Sequence, residues 1–280
     1  MKVIAELGVG VAGSIDHASK LAHAAAQAGC YAVKTQLRDV ETCYSEVKLA
    51  EPKESPWGTT YGDYAFGREL SLEDHTILHD RCNELGLGYG FSVWDMVGAR
   101  KGASLEPEFV KIPSAKIRDH GLIATVARLY SCPMIISTGA STLHEISAAL
   151  CCVGDKRVTL MHCVMQYPCE KKNLNLAALV TLYAQFSAGG VGLDIGLSDH
   201  SRGIVAPVAA YSRYPWLTMV EKHFTLDRAG QPWNPDAPAS LEPDGMRRMI
   251  RDLRAVDVMF GDGEKRVLEC EKKDYARLVV

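Results

Sequence analysis

Val191-Gly192-Leu193-Asp194-Ile195-Gly196-Leu197-Ser198-Asp199-His200 is a short apolar run that turns polar at its end. A helix-period stretch from Ile204 to Tyr211 follows, and then a second apolar run, Leu217 to Glu221, that again ends polar, in Glu221-Lys222-His223. Two near-continuous apolar strands joined by a helical crossover read as a parallel βαβ unit, because strands of a parallel sheet are covered on both faces. The same alternation extends outward to both ends of the chain. Further strands are predicted at Val3 to Leu7, Tyr31 to Thr35, Gly88 to Ser92, Phe109 to Ile112, Pro133 to Ser137 and Val158 to His162. Helices are predicted from Ser14 to Ala28, Ser71 to Leu85, Asp95 to Gly102, Asp119 to Leu129, Ser141 to Leu150, Asn175 to Phe186 and Glu242 to Met259. Eight such pairs predict a closed (β/α)8 TIM barrel, an α/β fold in which residues 1–280 form one domain. Two connections, Gln36 to Leu70 and Phe224 to Leu241, are too long for bare linkers, and both follow strand C-termini, where barrel active sites lie.

Bulk properties narrow the class of function. With 47% apolar and 23% charged residues the chain can bury a core without disulfides or structural metal. A net charge of -3 lacks the basic face that nucleic acid requires, which leaves small molecules as partners. Met1 to Glu6 enters a strand with no signal-peptide core, and no apolar run is long enough to span a bilayer, so a cytoplasmic protein without membrane contact is expected. Nine cysteines without a C-x-x-C pair suit reduced thiols.

Gly8-Val9-Gly10-Val11-Ala12-Gly13 formally matches the dinucleotide-binding pattern G-x-G-x-x-G. Such a site also needs an acidic residue near the end of the second strand, where this chain has Val33-Lys34-Thr35-Gln36; a plain Gly-rich barrel turn is the expectation. Lys34 and Gln36 share one face of that strand, and Lys111 and Ser114 end the fourth. Ser137-Thr138-Gly139 precedes a helix and offers hydroxyls and N–H groups to an anion. Taken singly, each is as well explained by a solvated lysine or a capping serine. Ser198 with His200, and Glu221 with His223, are spaced to face one mouth from adjacent strands about 4.8 Å apart, close enough for two imidazoles to meet one ion. Spacing alone leaves metal binding, acid–base chemistry and ordinary hydrogen-bonded histidines all open.

Ala5-Glu6-Leu7-Gly8, Ala32-Val33-Lys34-Thr35-Gln36, Lys111-Ile112-Pro113-Ser114, Ile136-Ser137-Thr138-Gly139, Gly196-Leu197-Ser198-Asp199-His200 and Val220-Glu221-Lys222-His223-Phe224-Thr225 occur in this order. Together they resemble the catalytic barrel of the sialic acid synthase family, over nearly the whole chain. The resemblance implies a transferase that condenses phosphoenolpyruvate with a sugar-like aldehyde and releases phosphate. It implies a divalent metal, Mn2+ foremost with Mg2+ or Co2+ as alternatives, on His200 and His223. Phosphoenolpyruvate would be held by Lys34, Lys111, Ser114, Ser137 and Ser198, and the sugar end by Gln36, Tyr167 and Asp236. Glu6 and Glu221 are candidates for proton transfer or orientation, and a homodimer is the family's habit.

Several family positions differ. An Asn-His pair appears as Gly10 and Val11, a threonine as Val93, a glutamate as Lys116 and an asparagine as Met165, and the family's C-terminal antifreeze-like domain has no counterpart in the sequence. Each loss removes a polar contact, for which Lys116, Arg38 or Arg202 are candidate substitutes. Two other readings remain: a Schiff-base aldolase using Lys111 or Lys34, and an inactive homologue serving as a binding or regulatory subunit.

Overall fold

In the computed structural model, which describes residues 1–187 and 193–278, each predicted strand forms. The strands are β1 (Lys2–Glu6), β2 (Ala32–Leu37), a small antiparallel hairpin of β3 (Pro52–Ser55) and β4 (Gly58–Thr60), then β5 (Gly88–Val93), β6 (Phe109–Ile112), β7 (Met134–Ser137), β8 (Val158–His162), β9 (Leu193–Asp199) and β10 (Met219–His223). All but the hairpin close into one barrel in the order β1-β10-β9-β8-β7-β6-β5-β2, and every pair in it is parallel. Among the described residues no helix is long and apolar enough to cross a membrane.

Helix starts follow side-chain chemistry. Ser14, Ser71, Asp95 and Asp119 each accept a hydrogen bond from the backbone N–H three residues on, which satisfies a donor the first turn would otherwise leave free. The helix predicted from Ser141 begins one residue later, with Thr142 and Glu145 in a reciprocal capping box. The helix predicted from Asn175 to Phe186 is shorter. Asn175 has a left-handed backbone (φ 43°), so the regular turns cover only Ala178–Leu182 before a π-turn at Tyr183–Ser187.

The last two barrel strands differ from the sequence expectation at their ends. Val191 and Gly192 lie outside the described residues, and β9 and β10 continue past the predicted ends at Gly196 and Glu221. Polar residues there do not stop the ladder, because Lys222 sits opposite Asp199 and their side chains pair at 2.6 Å with no solvent exposure. Asp199 also accepts from the N–H and the hydroxyl of Ser201, so the buried carboxylate is fully engaged.

Inside the barrel, side chains come from alternate residues. A plug of Ile4, Ala32, Phe109, Ile135, Met161 and Met219 fills the N-terminal end. One pleat farther along the same strands stand Glu6, Lys34, Lys111, Ser137, Cys163 and Glu221. The intervening residues, such as Val33, Val110, Ile136, Leu160 and Val220, face outward into the larger core under the helices. Apolar burial thus holds the barrel shut from both sides of the sheet, and the polar side chains emerge only at its C-terminal end.

Because removing one partner of a buried ion pair leaves an uncompensated charge, Lys222→Met should lower the free energy of unfolding by roughly 3–5 kcal/mol. Urea denaturation measures it; an unchanged midpoint would show that the pair does not hold β9 to β10.

Candidate active site

All twelve residues that the resemblance marks for metal, substrate or proton transfer line one cavity of about 270 Å³ at the C-terminal mouth. Glu221 is its hub. Lys111 reaches across from β6 and donates to Glu221 Oε1 at 2.6 Å, Ser198 donates to the same oxygen at 3.1 Å, and Lys34 Nζ lies 3.9 Å from Oε2. Lys34 also pairs with Glu6 and donates to Ser92 Oγ at 2.7 Å, while Gln36 Nε2 donates to Glu6 Oε1 at 3.2 Å. Burial disfavours the charged lysine, but Glu221 and Glu6 outweigh it and raise the affinity of Lys34 for its proton. Burial likewise opposes ionisation of Glu221, and the Lys111 and Lys34 ammonium groups overcome it, holding the carboxyl below the ordinary range.

The two histidines stand on the neighbouring strands. Their ring centroids are 5.5 Å apart, a separation that an ion bonded at about 2.1 Å to one nitrogen of each ring can span. The Nδ1–H of His200 donates to the Val164 carbonyl at 2.7 Å, which leaves Nε2 with its lone pair. Burial, with His223 adding to it, pushes His200 down to about 3, so its ring is neutral at pH 7 as a ligand must be. Asp236 Oδ2 lies 3.8 Å from His223 Nδ1. Tyr167 stacks on His200 at 4.1 Å and meets His223 edge-on at 5.8 Å, and burial keeps its phenol protonated. Two imidazoles with one tautomer already fixed suit a divalent ion that takes its remaining ligands from water or substrate; among the described residues no group of three metal-ligating side chains occurs.

A wall of small donors completes the mouth. Ser114 Oγ accepts from the Gly139 N–H at 3.0 Å and contacts Cys163 Sγ at 3.0 Å, with Ser137 beside them. Sequence reasoning missed Ser92, Cys163, Arg68 and Trp94, all of which line the cavity. Parity would have found Ser92. Gly90 approaches Phe109 of the inner plug so closely that a Cβ would lie 2.5 Å from the ring, so residues 92 and 94 also point inward. Val93 therefore faces the helices, and its apolar side chain takes nothing from the cavity.

Gly10, Val11 and Lys116 likewise stand outside the cavity, whereas Met165 lines it. Beside Gly10, where a Cβ would come within 3.3 Å of Asn234 Nδ2, the loop after β10 fills the room; Gln231 Nε2 donates to the Gly10 carbonyl at 2.9 Å. The glycine pattern is thus a turn packed on protein, a 3-10 turn at Gly8–Val11, with Gly13 (φ +63°) against the Gly67 carbonyl. Of the three candidate substitute cations only Arg38 lines the cavity. Lys116 does not, and Arg202 borders a separate surface cleft with Arg228 and Glu242.

The profile of the NeuB family matches residues 21–265. This chain belongs to the NeuB family. Among relatives of this NeuB-family protein, the N,N'-diacetyllegionaminic acid synthase of Legionella pneumophila is 32% identical, over 94% of this chain and 74% of the relative. The N-acetylneuraminate-9-phosphate synthase of Drosophila melanogaster is 29% identical, over 88% of this chain and 65% of that protein. The crystal structure of the spore coat polysaccharide biosynthesis protein SpsE of Bacillus subtilis superposes with a TM-score of 0.76 at 30% identity, covering 96% of this chain and 71% of that one.

A carboxylate with a depressed pKa stabilises the fold above its unfolded value, near 4.3, and loses that contribution as pH falls below it. Glu221→Gln should therefore cost about 3 kcal/mol at pH 7, with the gap to the parent protein narrowing toward pH 3 in urea titrations. A gap that stays constant with pH would contradict the ionised hub.

Proposed function

We propose that this protein is a transferase that joins C3 of phosphoenolpyruvate to the aldehyde carbon of a sugar-like acceptor and releases inorganic phosphate. The reading is carried by the floor of the mouth, where Lys34 and Lys111 meet on Glu221 next to His200 and His223. Two ammonium groups suit a ligand with both a phosphate and a carboxylate, and the hydroxyls of Ser114, Ser137 and Ser198 supply further donors. Substrate oxygens would take over the lysine contacts that Glu221 and Glu6 now make. Gln36, Tyr167 and Asp236 would recognise acceptor hydroxyls.

His200 and His223 would hold a divalent cation, Mn2+ or else Mg2+ or Co2+, and a bound cation supplies Lewis-acid polarisation of the aldehyde oxygen. Water then adds at C2, its proton passes by way of a carboxylate to the oxygen of the former aldehyde, and the C2 hydroxyl gives up its proton with the phosphate, which leaves by cleavage of its C–O bond to yield the ketone. The lysines suppress the affinity of Glu221 for a proton, and of the two lysines Glu6 faces only Lys34. Glu221 is therefore assigned to hold the lysines, and Glu6 to receive the proton. A Schiff-base aldolase would need an uncharged amine, whereas Lys34 is held charged and Lys111 is ion-paired. The same reading takes the enzyme to be cytoplasmic and homodimeric.

Phosphate release from phosphoenolpyruvate, with Mn2+ and a panel of hexosamine and pentose aldehydes, tests it. At least one acceptor should give a chelator-sensitive signal, and Lys111→Met should reduce kcat/KM by about 100-fold or more. His200→Ala and His223→Ala should each weaken Mn2+ binding, followed by electron paramagnetic resonance. Turnover indifferent to chelation, or absent with every acceptor, would reject the reading.

A further inference from the structure

Two arginines reach the same cavity, and nothing in the reaction above uses them. Arg38 follows β2 by one residue, and Arg68 caps the C-terminus of the helix Tyr61–Gly67. Along β2 the cavity-facing residues are Lys34, Gln36 and Arg38. At about 3.3 Å per residue the backbone of Arg38 stands roughly 13 Å farther out than that of Lys34. Lys34 belongs to the floor and Arg38 to the rim.

The two guanidinium groups converge. Arg38 Nη1 and Arg68 Nη2 donate to the same Tyr44 hydroxyl at 2.9 and 3.2 Å, and their Nε atoms lie 3.0 and 3.6 Å from the same Glu69 oxygen. Arg38 lies over the Trp94 ring at 4.5 Å and Arg68 over Tyr64 at 4.4 Å, which fixes both planes. Their side chains are only 4% and 6% exposed. One carboxylate thus faces two buried cations, and its neutralising power is partial: burial pushes Glu69 up to about 7 against the pull of both arginines. Asp95, a further acidic group nearby, is engaged by the N–H groups of Asp39 and Gly98 and by the Cys43 thiol. Neither Nε makes an aligned hydrogen bond, and the Trp94 Nε1–H is buried without an acceptor. Each guanidinium carries five N–H donors, so most remain available. Buried cations rich in unspent donors, opening on a cavity, form a receptor for an oxyanion.

We propose that Arg38 and Arg68 form a second anion subsite, so that the acceptor aldehyde carries a phosphate or a carboxylate at the end remote from its carbonyl. The assignment rests on the floor being the phosphoenolpyruvate site. Phosphoenolpyruvate, a three-carbon molecule, would be met by the lysines and hydroxyls of the floor, whereas a sugar chain with its aldehyde beside the histidines leaves its far end for the rim.

Calorimetric titration of the full chain, with Mn2+ present, tests the subsite directly. The probes are an N-acylhexosamine, its 6-phosphate and the corresponding uronic acid, with phosphoenolpyruvate titrated separately. One anionic sugar should bind at least tenfold more tightly than the neutral one, and its identity distinguishes phosphate from carboxylate. Arg38→Gln and Arg68→Gln should each weaken that sugar about 10- to 100-fold while leaving phosphoenolpyruvate within about twofold, and Arg68→Lys should restore part of the loss. Arg38→Gln decides if the Arg68 variant melts prematurely. Equal affinity for neutral and anionic sugars, or a preference that survives both substitutions, overturns the proposal. So does loss of phosphoenolpyruvate affinity in its place. Phosphate release, assayed in parallel, judges the reaction separately: an arginine-dependent preference without turnover would retain the subsite and reject the condensation.

Discussion

Alternation of side chains inside a closed parallel barrel is the constraint on which this structure depends. Ile4, Phe109, Ile135 and Met219 seal one end, and a single pleat later the same strands present Glu6, Lys111, Ser137 and Glu221. No register slip can carry one of these residues out of the cavity without carrying its apolar predecessor out of the plug. The positions of the polar groups are therefore fixed by the burial of groups that take no part in chemistry.

Placing four charged side chains on such a floor is costly unless each is paired. The arrangement answers by alternating sign: Glu6, Lys34, Glu221 and Lys111 form a continuous chain across the mouth, with serine hydroxyls at its margins. On the proposed function such a chain would preorganise the cations for an incoming anion, with the carboxylates keeping the lysines in place until substrate oxygens arrive. Above it His200 relies on a backbone carbonyl for its tautomer, and both imidazoles pack against Tyr167. Higher still, the connection after β2 adds a layer of its own, in which aromatic rings carry the guanidinium groups.

The fold was legible because eight apolar runs separated by helical periodicity have few other closures. Helix starts were read well where a Ser or Asp caps the first turn. Ends were read less well where tertiary pairing decides them, as when Lys222 and Asp199 bury each other and prolong β9 and β10. The site was legible where spacings of two repeat a polar residue on one strand, as in Lys34 and Gln36 or Ser198 and His200. Ser92 carries no such signal, since it stands as a lone hydroxyl beside the outward-facing Val93. Arg68 lacks one for a different reason. It lies in the long connection, where no periodicity ties a residue to the barrel mouth, and only contacts with Tyr44, Tyr64 and Glu69 bring it there.

On the proposed function the histidine pair and the lysine pair serve one substrate complex. Crystals soaked with Mn2+ and phosphoenolpyruvate, with anomalous diffraction recorded near the manganese edge, test it most directly. One strong anomalous peak is expected, bonded by both His200 and His223, with phosphoenolpyruvate beside it and its anionic oxygens on Lys34 and Lys111. Manganese bound away from those rings, or phosphoenolpyruvate seated outside the barrel mouth, would contradict it.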